Sequence, residues 1–501
     1  MTAAELAQSA QNDDEIPAGI SIEQKALWLA KAGRWDDSHD LCQDVPDPAG
    51  AWIHAYLHRE EGDLGNASYW YHRAGRQMPA SGVTLAEEWG QIAATLSKTK
   101  MPKPGKNVRR AAVSALRAWA KGHAYADSLI ERHAERNHLS TQDRALMKAI
   151  LLGVLRNRSL LDYWIGLFRK GKLDGENRDI MRVGLCQLLI LRIPDHAAIY
   201  ETVECARAPV RGLINAVLRK AAHSRARLLR ELPNVDPATQ YSHPGWLFKH
   251  FRKLYGAKNT TVLMDWNNCP AETYYRPNLL NPPPLDSPEP ENAGDAVATG
   301  HYYITDPSTA HAPELLAPKP GEAILDACAA PGGKSIHLAG LMENQGELVC
   351  SDSNEKRLPR LRENLERCGV EIAEVVQHDW TNPAPKEWHG RFDGILLDVP
   401  CSNTGVLRRR VDVRWRLQSG DIVDLVEIQN QIFEQVLPCL KPGGRIVYST
   451  CSIDPQENLE LVTKFSNAHP ELELSDHEQL LPFRDECDGA FAALLLDQRG
   501  S

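Results

Sequence analysis

Residues 324–342, ILDACAAPGGKSIHLAGLM, read as a short apolar strand ending at Asp326, a tight Ala/Pro/Gly loop, and an amphipathic helix starting near Lys334. Gly332 and Gly333 allow a sharp turn and leave backbone amides at the helix N-terminus, where a ligand can approach without meeting a side chain. The loop is a cradle of the nucleotide-binding kind. GxxxxGK[ST] would need a further Gly earlier in the loop, and GxGxxG is absent. A nicotinamide-dependent oxidoreductase is therefore disfavoured.

Downstream, strand and helix alternate. GELVCSD ends at Asp352, EIAEVVQHD at Asp379, FDGILLD at Asp398 and GGRIVYSTC at Cys451. Apolar runs that each stop at a polar or reactive residue describe a doubly wound parallel sheet, whose ligands collect beyond the carboxyl ends of the strands. Chemistry is expected at that edge, from Asp326, Asp352, Asp379, Asp398, Cys401 and Cys451. Asp352 follows the glycine loop at about the distance where a carboxylate grips a ribose diol, or it caps the helix beginning SDSNEKR. Asp379 is placed to accept from an adenine amino group, or it is a turn aspartate.

Cys401 in DVPCSNTGVLRR and Cys451 in YSTCSIDPQEN each follow a strand directly. One buried cysteine is ordinary packing; two at neighbouring strand ends, beside a cofactor loop and a carboxylate, are not. Methylation at carbon-5 of cytosine is a reaction that needs such a set. A thiolate adding to carbon-6 makes carbon-5 nucleophilic, and a second group assists release of the thiol once the methyl has moved.

Upstream the chain is helical. Residues 1–20 are polar and acidic and are expected to be disordered. Leu27–Cys42 and Tyr56–Tyr71 echo one another, setting Gly33 against Gly62, in the manner of tetratricopeptide hairpins. This 1–97 extension is either a protein-docking module or a helical cap, with Trp28, Trp35, Trp52, Trp70 and Trp89 as core. KTKMPKPGK makes 98–106 a linker. Helical periodicity then runs through 107–225, with Arg109, Arg110, Arg117, Lys121, Arg156, Arg158, Arg211, Arg219 and Lys220 as candidate phosphate contacts. Residues 281–295 are a Pro-rich acidic loop.

The formal charge is −9, yet residues 1–100 hold eight Lys/Arg against fifteen Asp/Glu, so the rest is near balance and compatible with a nucleic-acid partner. The eleven cysteines include no CxxC pair or zinc-type spacing, which indicates neither disulfides nor a metal site. With no leader-like or membrane-spanning apolar stretch, a soluble, cytoplasmic and monomeric protein is expected.

GLINAVLRKA (212–221) and the helices around it resemble the NusB-type RNA-binding domain, and YSHPGWLFKHFRKLYG (241–256) resembles the segment that joins such a domain to a methyltransferase. DACAAPGGKS, SDSNEKR, DVPCSNTGVLRRRVDVRW and YSTCSIDPQEN, in this order, resemble the motifs of the RNA cytosine carbon-5 methyltransferases. With the helical domain ahead of them, they resemble the Fmu/Sun branch, which acts on 16S ribosomal RNA. The resemblance implies a Rossmann-like class I methyltransferase domain over 240–501, with a connecting subdomain over 240–310. It implies S-adenosylmethionine held by Cys328, Ala329, Ala330, Pro331, Gly332, Gly333, Lys334, Asp352, Asp379 and Asp398. Cys451 would be the nucleophile and Cys401 the release cysteine, with Asp398 facing the cytosine and Lys334 ordering cofactor and base. Transfer RNA is the rival substrate, and a non-catalytic RNA-binding factor the rival class. Val411 stands where the family commonly has Pro and is expected to loosen its loop. YYITDPS lacks the usual Gln before Asp306, and DGAFAALLL carries small residues where an aromatic pair is usual.

Overall fold

The computed structural model describes residues 1–17, 20–42, 45, 48–80, 82–98, 107–122, 124–285, 290 and 293–499. Most of the expected linker and part of the Pro-rich loop lie outside these residues. The chain divides into two compact units, Met1–Asn107 and Val108–Ser501.

In the first unit the two echoed segments are helix pairs, Ile22–Lys31 with Trp35–Cys42 and Ala49–Glu61 with Leu64–Arg73, turning at Gly33 and Gly62. Trp28, Trp52 and Trp89 are buried, and Trp35 and Trp70 pack against the same cluster. Residues 1–20 depart from expectation. Ala3–Asn12 is a helix with a Thr2/Glu5 capping box, and Leu6 is fully buried. A short polar segment folds here because its single apolar stripe finds a partner surface.

The second unit opens with a helical bundle: Val108–Ala120, Ala126–Arg136, Thr141–Arg156, Arg158–Phe168, Gly175–Leu185, Asp195–Val203 and Ala208–His223. Its core is Leu, Ile and Val at helical spacing, closed by Trp119 and Trp164. Val411, from far along the chain, is fully buried in that same cluster, and Trp415 packs against it. The loop expected to be loosened by Val411 is instead anchored by it, because an apolar side chain there has a core to enter.

Arg156 and Arg158 are also corrected. Arg156 is buried and donates to the Arg408 carbonyl at 3.1 Å; the Arg158 guanidinium lies 5.2 and 5.4 Å from the ring centroids of Trp119 and Trp415. Arg156 is thus turned into the protein rather than toward solvent, and Arg158 is half-buried between two rings. Arg117 pairs with Glu176 and Arg211 with Glu204, which further thins the expected basic face.

A hairpin-like pair, β1 (Tyr275–Pro277) and β2 (Tyr302–Ile304), precedes the main sheet. That sheet comprises β3 (Ala323–Asp326), β4 (Glu347–Asp352), β5 (Ala373–Gln377), β6 (Phe392–Asp398), β7 (Leu440–Thr450), β8 (Leu472–Leu480) and β9 (Ala490–Asp497), in the order β5-β4-β3-β6-β7-β9-β8. The first five strands are parallel; β9 and β8 add an antiparallel edge. Leu325, Val349, Ile395 and Ile446 pack on one face and Ile324, Leu348, Leu396 and Val447 on the other. Burial on both faces explains why these strands read as unbroken apolar runs. The edge strand β8, LELSDHEQL, is polar and gave no such signal, as an exposed edge requires.

The chain winds outward from β3 to β4 and β5, then returns to lay β6 on the other side of β3. The switch point therefore falls between Asp326 and Asp398, where a crevice is expected. At the loop, Gly332 takes φ +108, and a Cβ there would lie 2.8 Å from Leu361 Cδ1. Gly332→Ala is expected to destabilise the domain by about 1–3 kcal/mol from the left-handed backbone and this clash together. A denaturant titration reads it, and an unchanged midpoint would show that the turn relaxes.

Candidate active site

The carboxyl ends of β3, β4, β6 and β7 open onto a cleft of about 680 Å³. Cys328, Ala329, Ala330, Pro331, Gly333, Lys334, Asp352, Asp379, Asp398, Cys401 and Cys451 all line it. Gly332 does not; it faces Leu361 and serves the turn.

β6 and β7 are parallel neighbours, with Asp398 opposite Ser449, so the two segments that follow them emerge side by side. Cys401 Sγ and Cys451 Sγ consequently meet at 3.2 Å. The side-chain Nδ2 of Asn403 donates to the Cys401 carbonyl at 2.7 Å, which turns its Oδ1 to accept from Cys451 Sγ at 3.4 Å. The Cys401 thiol is pushed well above its ordinary value by its hydrogen bond to Cys451 and by burial. Either thiol can donate across the 3.2 Å contact, and Cys451 Sγ also donates to Asn403 Oδ1. Gly405 keeps the loops together: its amide donates to the Cys451 carbonyl at 3.0 Å, and a Cβ there would sit 2.8 Å from that oxygen.

Asp398 is fixed on both oxygens, by Ser449 Oγ at 2.7 Å and by Lys334 Nζ at 2.7 Å. Burial would lower the Lys334 pKa, but the Asp398 carboxylate outweighs it and holds the ammonium above its usual value. Lys334 is therefore a fixed cation at the centre of the cleft. Asp326, at the end of β3, is fully buried and pushed up to about 7 by that burial. One of its oxygens accepts from Ser335 Oγ at 2.7 Å, and Oδ1 has no partner among the described residues.

Asp352 accepts from the Asn354 amide at 3.0 Å and the Ala330 amide at 3.3 Å, with Arg357 at 3.2 Å. It both starts the following turn and faces the cleft. Asp379 likewise closes a turn, accepting from the Thr381 amide and hydroxyl, which hold its carboxyl below the usual range, and it remains exposed at the cleft wall.

Two groups of residues escaped the sequence reading. Glu457 is fully buried and accepts from the Ser402 amide (2.8 Å), Ser402 Oγ (2.5 Å), Ser452 Oγ (2.5 Å) and Gln429 Nε2 (3.0 Å). It yokes the residue after Cys401 to the residue after Cys451. The only hint was an acidic residue inside YSTCSIDPQEN. Glu457→Ala would leave the buried Ser402 amide without its acceptor and strip one partner each from Ser402 Oγ, Ser452 Oγ and Gln429 Nε2, and is expected to cost about 2–4 kcal/mol of domain stability. Equal melting of variant and parent would show that water replaces the carboxylate without loss.

The second group is an ion cluster. Arg408 Nε and Arg409 Nε each donate to Asp488 at 2.6 Å, and Arg409 reaches Asp306 at 2.7 Å, with Arg408 3.5 Å from Asp306. Three distant segments meet in it, which no local pattern foreshadows. Asp306, in the motif lacking its usual Gln, and the small residues Ala490 and Ala492 both line the cleft.

A family model described as 16S rRNA methyltransferase RsmB/F matches residues 313–496, and one described as NusB family matches residues 106–223. Ribosomal RNA small subunit methyltransferases B from Salmonella paratyphi B and Salmonella typhi are each 35% identical over 398 residues, covering 72% of this chain and 91% of theirs. The crystal structure of PH0851 superposes with a TM-score of 0.62 at 23% identity, over 78% of this chain and 98% of that one, a likeness of fold.

Proposed function

The chain belongs to the RsmB/F family of 16S rRNA methyltransferases and depends on S-adenosylmethionine; from that premise we propose that it methylates carbon-5 of a cytosine in 16S rRNA, through a covalent adduct on Cys451. The observation that carries this reading is the Cys401–Cys451 contact of 3.2 Å inside the cleft that the glycine loop also lines.

The cleft suits the cofactor. The loop from Cys328 to Gly333 offers backbone and small side chains, Asp352 offers a carboxylate to a ribose diol, Asp379 one to an adenine amino group, and Asp326 Oδ1 is buried without a partner among the described residues. Bound there, S-adenosylmethionine supplies the electrophilic methyl group. Asp398, held by Ser449 and Lys334, accepts hydrogen bonds from the amino edge of the cytosine and so orients the ring.

Cys451, having given up its proton to solvent, adds through sulfur to carbon-6, forming the C–S bond and placing an electron pair on carbon-5; that pair takes the methyl group, whose bond to the donor breaks with its electrons left on the donor. A base then takes the carbon-5 proton. Its bonding pair forms the carbon-5–carbon-6 double bond, and the C–S pair returns to Cys451 sulfur. Cys401, 3.2 Å from it, donates its thiol proton to that departing sulfur and so assists release. The target base must leave its stack first, because carbon-6 is out of reach within a helix.

The test is incubation of the full chain with labelled S-adenosylmethionine and unmodified 16S or transfer RNA, with 5-methylcytosine mapped at nucleotide resolution. One modified cytosine in 16S RNA is expected. Modification of transfer RNA alone would overturn the substrate, and methyl groups on any other atom would overturn the chemistry.

A further inference from the structure

Tyr125 lines the same cleft as Cys451, yet it comes from the helical bundle rather than the catalytic domain. It is the N-cap of helix Ala126–Arg136 and supplies no capping hydrogen bond. That position ordinarily favours Ser, Thr, Asp or Asn, so a tyrosine there is not explained by the helix. The capping comes from elsewhere: Asp412 Oδ2 accepts from the Ala126 amide at 2.9 Å. On the other side Arg416 donates to the carbonyls of Gly122 and Ala124.

The segment carrying Asp412 and Arg416 thus grips the backbone before and after Tyr125, which stays 55% exposed. Arg416 also lies 4.7 Å from the ring centroid, which steadies the ring by cation–π attraction. Arg410 lines the same cleft and is exposed; Asp127 lies within its electrostatic reach, but its guanidinium makes no hydrogen bond or close ion pair among the described residues. A positioned, open aromatic and an exposed cation lining one cleft are what recognition of an unstacked nucleotide requires.

We propose that Tyr125 is the platform on which a base flanking the target cytosine stacks, and that Arg410 takes the adjoining phosphate. The helical domain then supplies part of the substrate site itself, and the Asp412 and Arg416 ties hold that part in register with the thiols. This rests on the RNA-methylating reading above.

The experiment measures kcat/KM of the full chain on 16S RNA, together with fluorescence of 2-aminopurine placed on either side of the mapped cytosine in a short RNA. Tyr125→Ala is expected to lower kcat/KM about 5- to 100-fold and to abolish quenching of one flanking 2-aminopurine. Tyr125→Phe, which keeps the ring, restores both to within about threefold. Arg410→Gln lowers affinity and reduces the slope of log affinity against log salt by about 0.7–0.9, the loss of one phosphate contact. Melting temperature and cofactor affinity, which a merely structural role would move, stay at the parent values in all three. If Tyr125→Ala methylates and quenches like the parent, or if Tyr125→Phe fails as badly as Tyr125→Ala, stacking is overturned. If the parent forms no 5-methylcytosine, the underlying reading falls, and that result is distinct from either.

Discussion

Cys451→Ala loses methyl transfer by at least about 10⁴-fold while cofactor affinity changes by less than about threefold. The first half follows from chemistry: without the thiolate, carbon-5 of cytosine is not nucleophilic enough to take a methyl group, and removing a covalent nucleophile has effects of this order. The second half follows from geometry. Cys451 sits at the end of β7, touching Cys401 and Asn403, whereas the loop that would hold the cofactor hangs from β3. Calorimetric titration with S-adenosylmethionine and single-turnover transfer to RNA read the two halves separately. Turnover retained in the alanine variant would mean that Cys451 is not the nucleophile.

Cys401→Ala behaves differently, although its sulfur is only 3.2 Å away. Its sulfur is within reach of the sulfur that must leave carbon-6, so it is placed to pass a proton to it. The variant should still form the adduct and transfer the methyl group once, then fail to let go. Steady-state turnover is expected to fall about 10²- to 10⁴-fold, the usual loss for a positioned proton donor, and protein crosslinked to RNA should accumulate. Denaturing gels with labelled RNA display the adduct. Multiple turnovers without an adduct would assign release to another group. The double variant should show neither adduct nor transfer, since addition precedes release.

The catalytic edge was legible in the sequence because a parallel sheet buried on both faces writes its strands as apolar runs. Asp326, Asp352, Asp398 and the two cysteines stand out where those runs stop. Asp379 was legible by the same logic, two residues beyond β5. The reading failed where burial depended on distant partners. Arg156 and Arg158 carry the charge of an RNA contact but face Arg408 and Trp415, and Val411 enters a core built from residues 108–228. Residues 1–20 were too polar to predict order, yet one apolar stripe suffices when Trp28 and its neighbours receive it.

By itself the sequence determined the α/β catalytic domain, the helical domain before it, the glycine loop and the order of the reactive residues. All of these rest on contacts between near neighbours along the chain, or on apolar periodicity that each element carries alone. Only the tertiary structure decided the distance between the thiols, the tie of Lys334 to Asp398, the Glu457 yoke and the arrival of Tyr125 in the cleft. Each depends on the pairing of strands and the docking of loops hundreds of residues apart, and a linear pattern holds no record of which distant side chain will fill a given space.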